Sequence, residues 1–281
     1  MSPYSLAGRT IVITGSTGGL GTALAATLRT RGANLALLDL DIDVAQRQAA
    51  ELGPATVSRA WAADVRNLDN LDAALGAAAE HFGRIDVVIA NAGVGTVQPL
   101  QSLDPVEWER IIDINLSGVW RTFRSGLPHV TETRGYLLAI SSMAAFIHSP
   151  LNGPYVASKA GVWALCDATR LEVRHRGVGV GSAHPTFFQT PMMDAVHCDP
   201  AGNTLWGGNK GWPWKMIPQQ TVADALVTGI ERRADMIVVP RSNALVARIP
   251  GLVRPLIDRI GFRGPTIPDA IAQASSVAGG G

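Results

Sequence analysis

The chain has 281 residues, of which 47% are apolar and 17% charged, with a formal net charge of +1. This is enough apolar material for a substantial core, and the balanced charge gives no basic face for nucleic acid, so no nucleic-acid partner is expected. Two cysteines, Cys166 and Cys198, are too few for a disulfide framework or a thiolate metal site and read as reduced thiols. His81, His129, His148, His175 and His197 show no ligand spacing, and no metal is expected. The opening MSPYSLAGRT lacks the basic start, apolar run and small-residue cleavage site of a secretory signal. No apolar run reaches the roughly 18 residues of a membrane span. The expectation is a cytoplasmic protein without a transmembrane segment.

In chain order, Arg9–Thr14 predicts a strand, 19–30 a helix, and 34–38 a strand ending at Asp39. Residues 44–52 predict a short helix, with Asp43 as its N-cap and Asp41 in the turn or facing solvent. Strands follow at 56–62, 85–90, 135–140 and 178–183, with an amphipathic helix at 68–82. Asp104, Pro105 and Glu107 have the pattern of a capped start for a long helix to about Phe123, and Tyr155–His175 is another long helix. A helix at 222–232 and a short strand at 236–239 close the pattern. Strands that are apolar throughout are buried on both faces, so the alternation predicts an α/β fold. It is Rossmann-like: a doubly wound parallel sheet of about seven strands with helices on both faces, in a single domain spanning 1–281. Residues 191–218 interrupt the rhythm as a loop or short-helix insertion, and a C-terminal extension runs over 241–281. Its small-residue end, 274–281, is expected to be disordered.

The first strand runs into Thr14-Gly15-Ser16-Thr17-Gly18-Gly19-Leu20-Gly21 and then directly into a helix. A pyrophosphate needs close approach to backbone N–H groups at a helix N-terminus, and side chains would block it, so glycines are needed at the turn. The strand–turn–helix context is what makes this cluster a dinucleotide cradle rather than a plain turn. Asp39, at the end of the second strand, can accept the adenosine ribose hydroxyls and would repel a 2′-phosphate. No Lys or Arg stands at Ser16, Thr17 or Leu40, so NAD(H) is expected over NADP(H). Tyr155 and Lys159, four apart on one helix face, offer a phenol and an ammonium that favours its ionised form. That pairing makes a tyrosine a usable proton shuttle.

With these motifs together, the chain resembles the short-chain dehydrogenases/reductases, in the shorter-subunit subgroup with TGxxxGxG and YxxxK motifs. The resemblance runs from about Gly8 to Thr190 and more loosely to Val239. It implies that Gly15, Ser16, Gly19, Leu20 and Gly21 form the cofactor turn, that Asp39 and Leu40 select NAD, and that Asp64 and Val65 border adenine. Asn91, Ala92 and Gly93 match the Asn-Ala-Gly motif, and Pro185, Phe188 and Thr190 lie in the segment that fixes the carboxamide. Tyr155 and Lys159 touch the cofactor as well as acting as acid/base and helper. Asn115 matches the asparagine whose helix backbone holds a relay water, and Ser142 the serine that hydrogen-bonds the substrate oxygen. Ser141 is the neighbouring alternative, disfavoured because adjacent residues at a strand end point opposite ways. The resemblance also implies a homotetramer or dimer through the two long helices.

The chain departs from the family pattern at His184, Thr186, Phe187 and Phe188, which reshapes the wall beside the nicotinamide. Trp206, Trp212 and Trp214 fit either an apolar lid over a bulky substrate or packing of the loop on the body. Arginines alternate with apolar residues over 245–262, which suits an anionic membrane. Pro250 and Pro255 are expected to interrupt a helix there, however, which favours a packed C-terminal cap. The expected function is NAD(H)-dependent hydride transfer to or from a secondary alcohol or ketone, a small-molecule substrate of hydrophobic character. The alternatives are an NADPH-dependent carbonyl reductase of a biosynthetic pathway and a non-catalytic dinucleotide-sensing protein.

Overall fold

The computed structural model describes residues 4–211 and 214–278. Its strands are β1 (Thr10–Thr14), β2 (Asn34–Asp39), β3 (Ser58–Ala62), β4 (Val87–Ala90), β5 (Tyr136–Ile140), β6 (Gly179–Pro185) and β7 (Met236–Val239). Helices α1 (Gly19–Thr30), α2 (Ile42–Leu52) and α3 (Leu68–Phe82) connect the first four strands. Helices α4 (Pro105–Ile112), α5 (Gly118–Thr133) and α6 (Gly153–Val173) follow. The chain then builds α7 (Pro191–Cys198), α8 (Pro200–Trp206) and α9 (Gln219–Glu231). It ends with α10 (Ala244–Arg248), α11 (Pro250–Gly261) and α12 (Thr266–Ala278).

All seven strands are parallel, in the order β3-β2-β1-β4-β5-β6-β7. Successive residues of each strand feed opposite cores, as the two-residue period requires. Ile11 and Ile13 pack with Leu24 and Leu28 of α1 and Val222 and Leu226 of α9. Val12 packs on the other face with Leu71 and Leu75 of α3, Phe123 of α5 and Val162 of α6. Helices cover both faces of the sheet, which is why the central strands β1, β2, β4 and β5 are largely apolar on both sides. The doubly wound α/β sandwich is thus the one that the strand pattern predicts.

Several local expectations are corrected. Asp41, not Asp43, caps α2, accepting from the Val44 N–H at 3.1 Å, and Asp43 lies in the first turn. Asp104 caps α4 as expected, through Val106 N–H at 2.8 Å. The long helix does not end near Phe123. It passes through a π turn at Asp113–Ser117 and continues to Thr133. Gly126 lies against Val88, Val130 is buried, and this packing keeps the segment helical through Pro128. Residues 191–206 form two short helices, each with proline at its first turn. The prolines of the extension do not interrupt it. Pro250 begins α11, where its missing N–H costs nothing, and Pro255 lies inside the helix on its solvent side. The tail expected to be disordered from residue 274 is helical through Ala278. Trp212 and residues 279–281 lie outside the described residues.

Candidate active site

A cavity of about 840 Å³ opens along the carboxyl ends of the strands, across the β1/β4 boundary where the strand order reverses. This is where open α/β sheets bind ligands, because loops diverge to either side of that boundary. Gly15 has φ +62°, and a Cβ there would stand 2.8 Å from the Ala92 Cα. A Cβ on Gly21 would overlap the Gly15 and Ser16 carbonyl oxygens. The turn therefore closes only with glycine at both positions, and it leaves backbone facing the cavity at the N-terminus of α1. Gly15, Thr17, Gly18, Gly19 and Leu20 line the cavity. Ser16 and Gly21 are buried beneath it and shape the turn without facing the cavity. An anionic dinucleotide suits this cradle, because the backbone it offers is a donor surface that side chains would block.

Asp39 faces the same cavity from the end of β2. Its Oδ2 accepts from Thr17 N–H at 2.9 Å and from the Thr17 hydroxyl at 2.8 Å. Its Oδ1 accepts from Leu40 N–H at 2.8 Å. Thr17 thus aims the carboxylate, a role that nothing in the turn motif signals, because it depends on β2 lying beside β1. Asp64 and Val65 also line the cavity. The Asp64 carboxylate is held by Arg66 through contacts of 2.8–3.1 Å, and the Arg66 hydrogen bond keeps its pKa below the ordinary carboxylate range. Asn91 ties β4 to β1 by donating to the Thr14 and Gly15 carbonyls at 3.0 and 2.8 Å, which places Ala92 and Gly93 on the cavity wall.

Ser142, Tyr155 and Lys159 converge at one end of the cavity. Burial pushes the Tyr155 phenol above its ordinary pKa, and the hydrogen bond from the Ser142 side chain opposes that rise. The Lys159 ammonium is 5.5 Å from the Tyr155 ring centre and donates to the Ile140 carbonyl at 2.8 Å. Burial pushes its pKa down to about 8. Within the protein alone, the Ser142 hydrogen bond is thus a further group that favours the phenolate, beside the Lys159 ammonium that the sequence pairs with Tyr155. Ser141 also lines the cavity, but its buried hydroxyl is committed to the Lys159 carbonyl, to which it donates at 2.8 Å. Asn115 is fully buried in the π turn and does not face the cavity. Its side chain exchanges two 2.8 Å hydrogen bonds with the Val94 backbone and donates to Ser158 at 3.2 Å. A Cβ on Gly93 would lie 3.4 Å from both Asn115 Oδ1 and Lys159 Nζ, so both side chains border the backbone of Gly93.

His184 is a residue whose place sequence reasoning left open. It is fully buried, with Nδ1 3.2 Å from the Ser142 carbonyl and Nε2 2.8 Å from the Ser182 hydroxyl. A carbonyl can only accept, so Nδ1 carries the proton and Nε2 accepts from Ser182. Burial pushes its pKa down to about 4, and the ring is neutral at physiological pH. It holds the Ser142 segment from behind. His184→Phe keeps the ring volume but orphans both partners. It is expected to lower kcat about tenfold with NADH affinity unchanged, and His184→Asn, whose amide can still donate to Ser142, is expected to recover most of it. Equal losses in the two variants would remove this role.

The remaining wall is apolar. Phe187, Phe188, Met192, Met193, Val196, Trp206 and Trp214 line it, as do Pro185 and Thr190, whose hydroxyl caps α7 at Met193 N–H. Phe187 stacks near Trp206 and Trp214 at 5.7 and 6.0 Å, and Trp214 meets Phe262 at 5.1 Å. The two tryptophans therefore serve both alternatives raised by the sequence: they wall the cavity and pack α8 against the C-terminal helices. Ser242, Asn243, Val246 and Ile257 reach the same cavity from the extension.

A family model described as short chain dehydrogenase matches residues 9–200. The chain is 34% identical over 191 residues to a D-beta-hydroxybutyrate dehydrogenase of Rhizobium meliloti (strain 1021), covering 66% of this chain and 74% of the other. It is 33% identical over 201 residues to 3beta-hydroxysteroid dehydrogenase 1 of Eggerthella lenta, covering 69% and 76%. Among solved structures, the 3-ketoacyl-(acyl-carrier-protein) reductase from Brucella melitensis complexed with NADH superposes with a TM-score of 0.72 at 27% identity, over 84% of this chain and 98% of that one. The chain belongs to the short-chain dehydrogenase/reductase family of oxidoreductases.

Proposed function

We propose that this protein is an NAD(H)-dependent dehydrogenase/ketone reductase of hydrophobic secondary alcohols, with Tyr155 as acid/base. The observation that carries the reading is the convergence of Ser142, Tyr155 and Lys159 on one end of a cavity whose other part is the glycine cradle beside Asp39. Bound NAD supplies the hydride acceptor and a positive ring that favours a nearby phenolate. Gly15, Gly19 and Leu20 hold the pyrophosphate side, with Gly21 and Ser16 shaping the turn beneath. Asp39 and Leu40 hold the ribose, and Asp64 and Val65 the adenine. Asn91, Ala92 and Gly93 form the floor. Pro185, Phe188 and Thr190 flank the nicotinamide.

In oxidation, Tyr155 takes the alcohol proton and Ser142 steadies the oxygen as it becomes a carbonyl. Lys159 anchors the cofactor ribose and passes the proton outward along the opened turn at Asn115. Reduction reverses each step. Residues 191–218 form the substrate side, and a homotetramer or dimer through the helix that runs from Asp104 (α4 into the start of α5) and through α6 is the expected assembly.

Titrating the protein with NADH and NADPH in parallel, followed by tryptophan fluorescence, tests the cofactor assignment. NADH is expected to bind at least about tenfold more tightly, since an unrelieved like-charge contact costs several kcal/mol. Asp39→Ser is expected to narrow the gap. Preference for NADPH would assign the chain to the alternative, a biosynthetic carbonyl reductase. Tight NADH binding with no turnover on any secondary alcohol or ketone would assign it to the sensing class.

A further inference from the structure

The solvent face of α11 carries Gly251, Leu252, Pro255, Leu256 and Arg259, while its opposite face buries Ile257. A surface helix ordinarily keeps its solvent face polar, whereas α11 is apolar on both faces, with Val253, Ile257 and Ile260 turned inward. Leu252 and Leu256, one turn apart, are 80% and 59% exposed, and Leu245 on α10 is 64% exposed. Five arginines surround these leucines: Arg241, Arg248, Arg254, Arg259 and Arg263. Among the described residues none of the five is paired with a carboxylate. Seven arginines elsewhere in the chain are ion-paired and others, such as Arg47, Arg124 and Arg174, are not, so what sets 241–263 apart is the concentration of five cations beside exposed leucines. Asp258 is the one acidic residue from 241 to 263. The same two helices send Val246 and Ile257 into the apolar cavity.

We propose that α10 and α11 form a docking face for an anionic lipid surface. Leucines enter the acyl boundary and the unpaired guanidiniums meet lipid phosphates, which a planar two-pronged donor suits better than an ammonium does. The charge selects this occupant. Arg254 lies 3.3 Å from His148 Nδ1, which brings no negative charge, so a second copy of this face would bring five more arginines without a carboxylate, whereas an anionic headgroup layer supplies the missing countercharge. Because the face adjoins the cavity wall, an apolar substrate dissolved in the lipid can reach the site without crossing bulk water.

The test is co-sedimentation of the full chain with vesicles of equimolar phosphatidylglycerol and phosphatidylcholine, beside vesicles of phosphatidylcholine alone. No substrate or turnover is needed, so the result is independent of the proposed activity. The protein is expected to pellet with the anionic vesicles and to be released as salt shortens the screening length below about 10 Å. Leu252→Glu/Leu256→Glu should weaken binding by more than about tenfold. Arg248→Gln/Arg259→Gln/Arg263→Gln should weaken it and flatten its salt dependence. Both variants should keep wild-type NADH affinity and melting temperature, since none of these side chains lines the cavity. Three results would overturn the proposal: wild-type protein left in the supernatant, equal binding to phosphatidylcholine vesicles, or pelleting unmoved by the leucine substitutions. A wild-type oligomer that the leucine variant dissociates, with no vesicle binding, would also overturn it and give the face to a second copy.

Discussion

Tyr155→Phe is expected to lower kcat by about 10²- to 10⁴-fold, the range a positioned proton-transfer group contributes. The substitution removes one oxygen from a half-buried ring, so NADH affinity and melting temperature should stay close to wild type. Burial raises the Tyr155 phenol above its ordinary value. Alcohol oxidation needs the phenolate, so its rate should climb as pH rises, and ketone reduction, which needs the phenol, should decline over the same span. Stopped-flow measurement of both directions, with NADH binding followed by fluorescence, checks this. Turnover within a few-fold of wild type in Tyr155→Phe would remove the tyrosine from the chemistry.

Ser142→Ala is expected to cost about 10²- to 10³-fold in kcat, comparable to losing one donor to a developing oxyanion. In this protein the loss has two parts. The substrate oxygen loses a partner, and Tyr155 loses the hydrogen bond that opposes the effect of burial. The rise of the oxidation rate with pH should therefore move to higher pH as well as flatten in amplitude. Ser141→Ala provides the contrast. Its hydroxyl is committed to the Lys159 carbonyl, so the change should cost less than about tenfold and leave the pH profile in place. A reversed order of the two serines would place the catalytic hydroxyl on the other residue.

The strand–helix alternation, the glycine turn, Asp39, and the Tyr155–Lys159 spacing are all local features, and each was legible in the residues themselves. A buried parallel strand must be apolar on both faces, and a phosphate turn must lack side chains, so the sequence by itself determined the fold class and the location of the cavity. Other features depended on groups far apart in the chain. Packing against Val88 carried α5 past Pro128. Thr17 orients Asp39 across 22 positions, and His184 braces Ser142 across 42. The prolines of the extension fit within α11 because one starts the helix and the other faces water. What holds Ser142 in place, and which side of the last helices shows its leucines to solvent, were decided only by tertiary packing. Hydrogen bonds and burial between distant segments leave no periodicity in the sequence from which to read them.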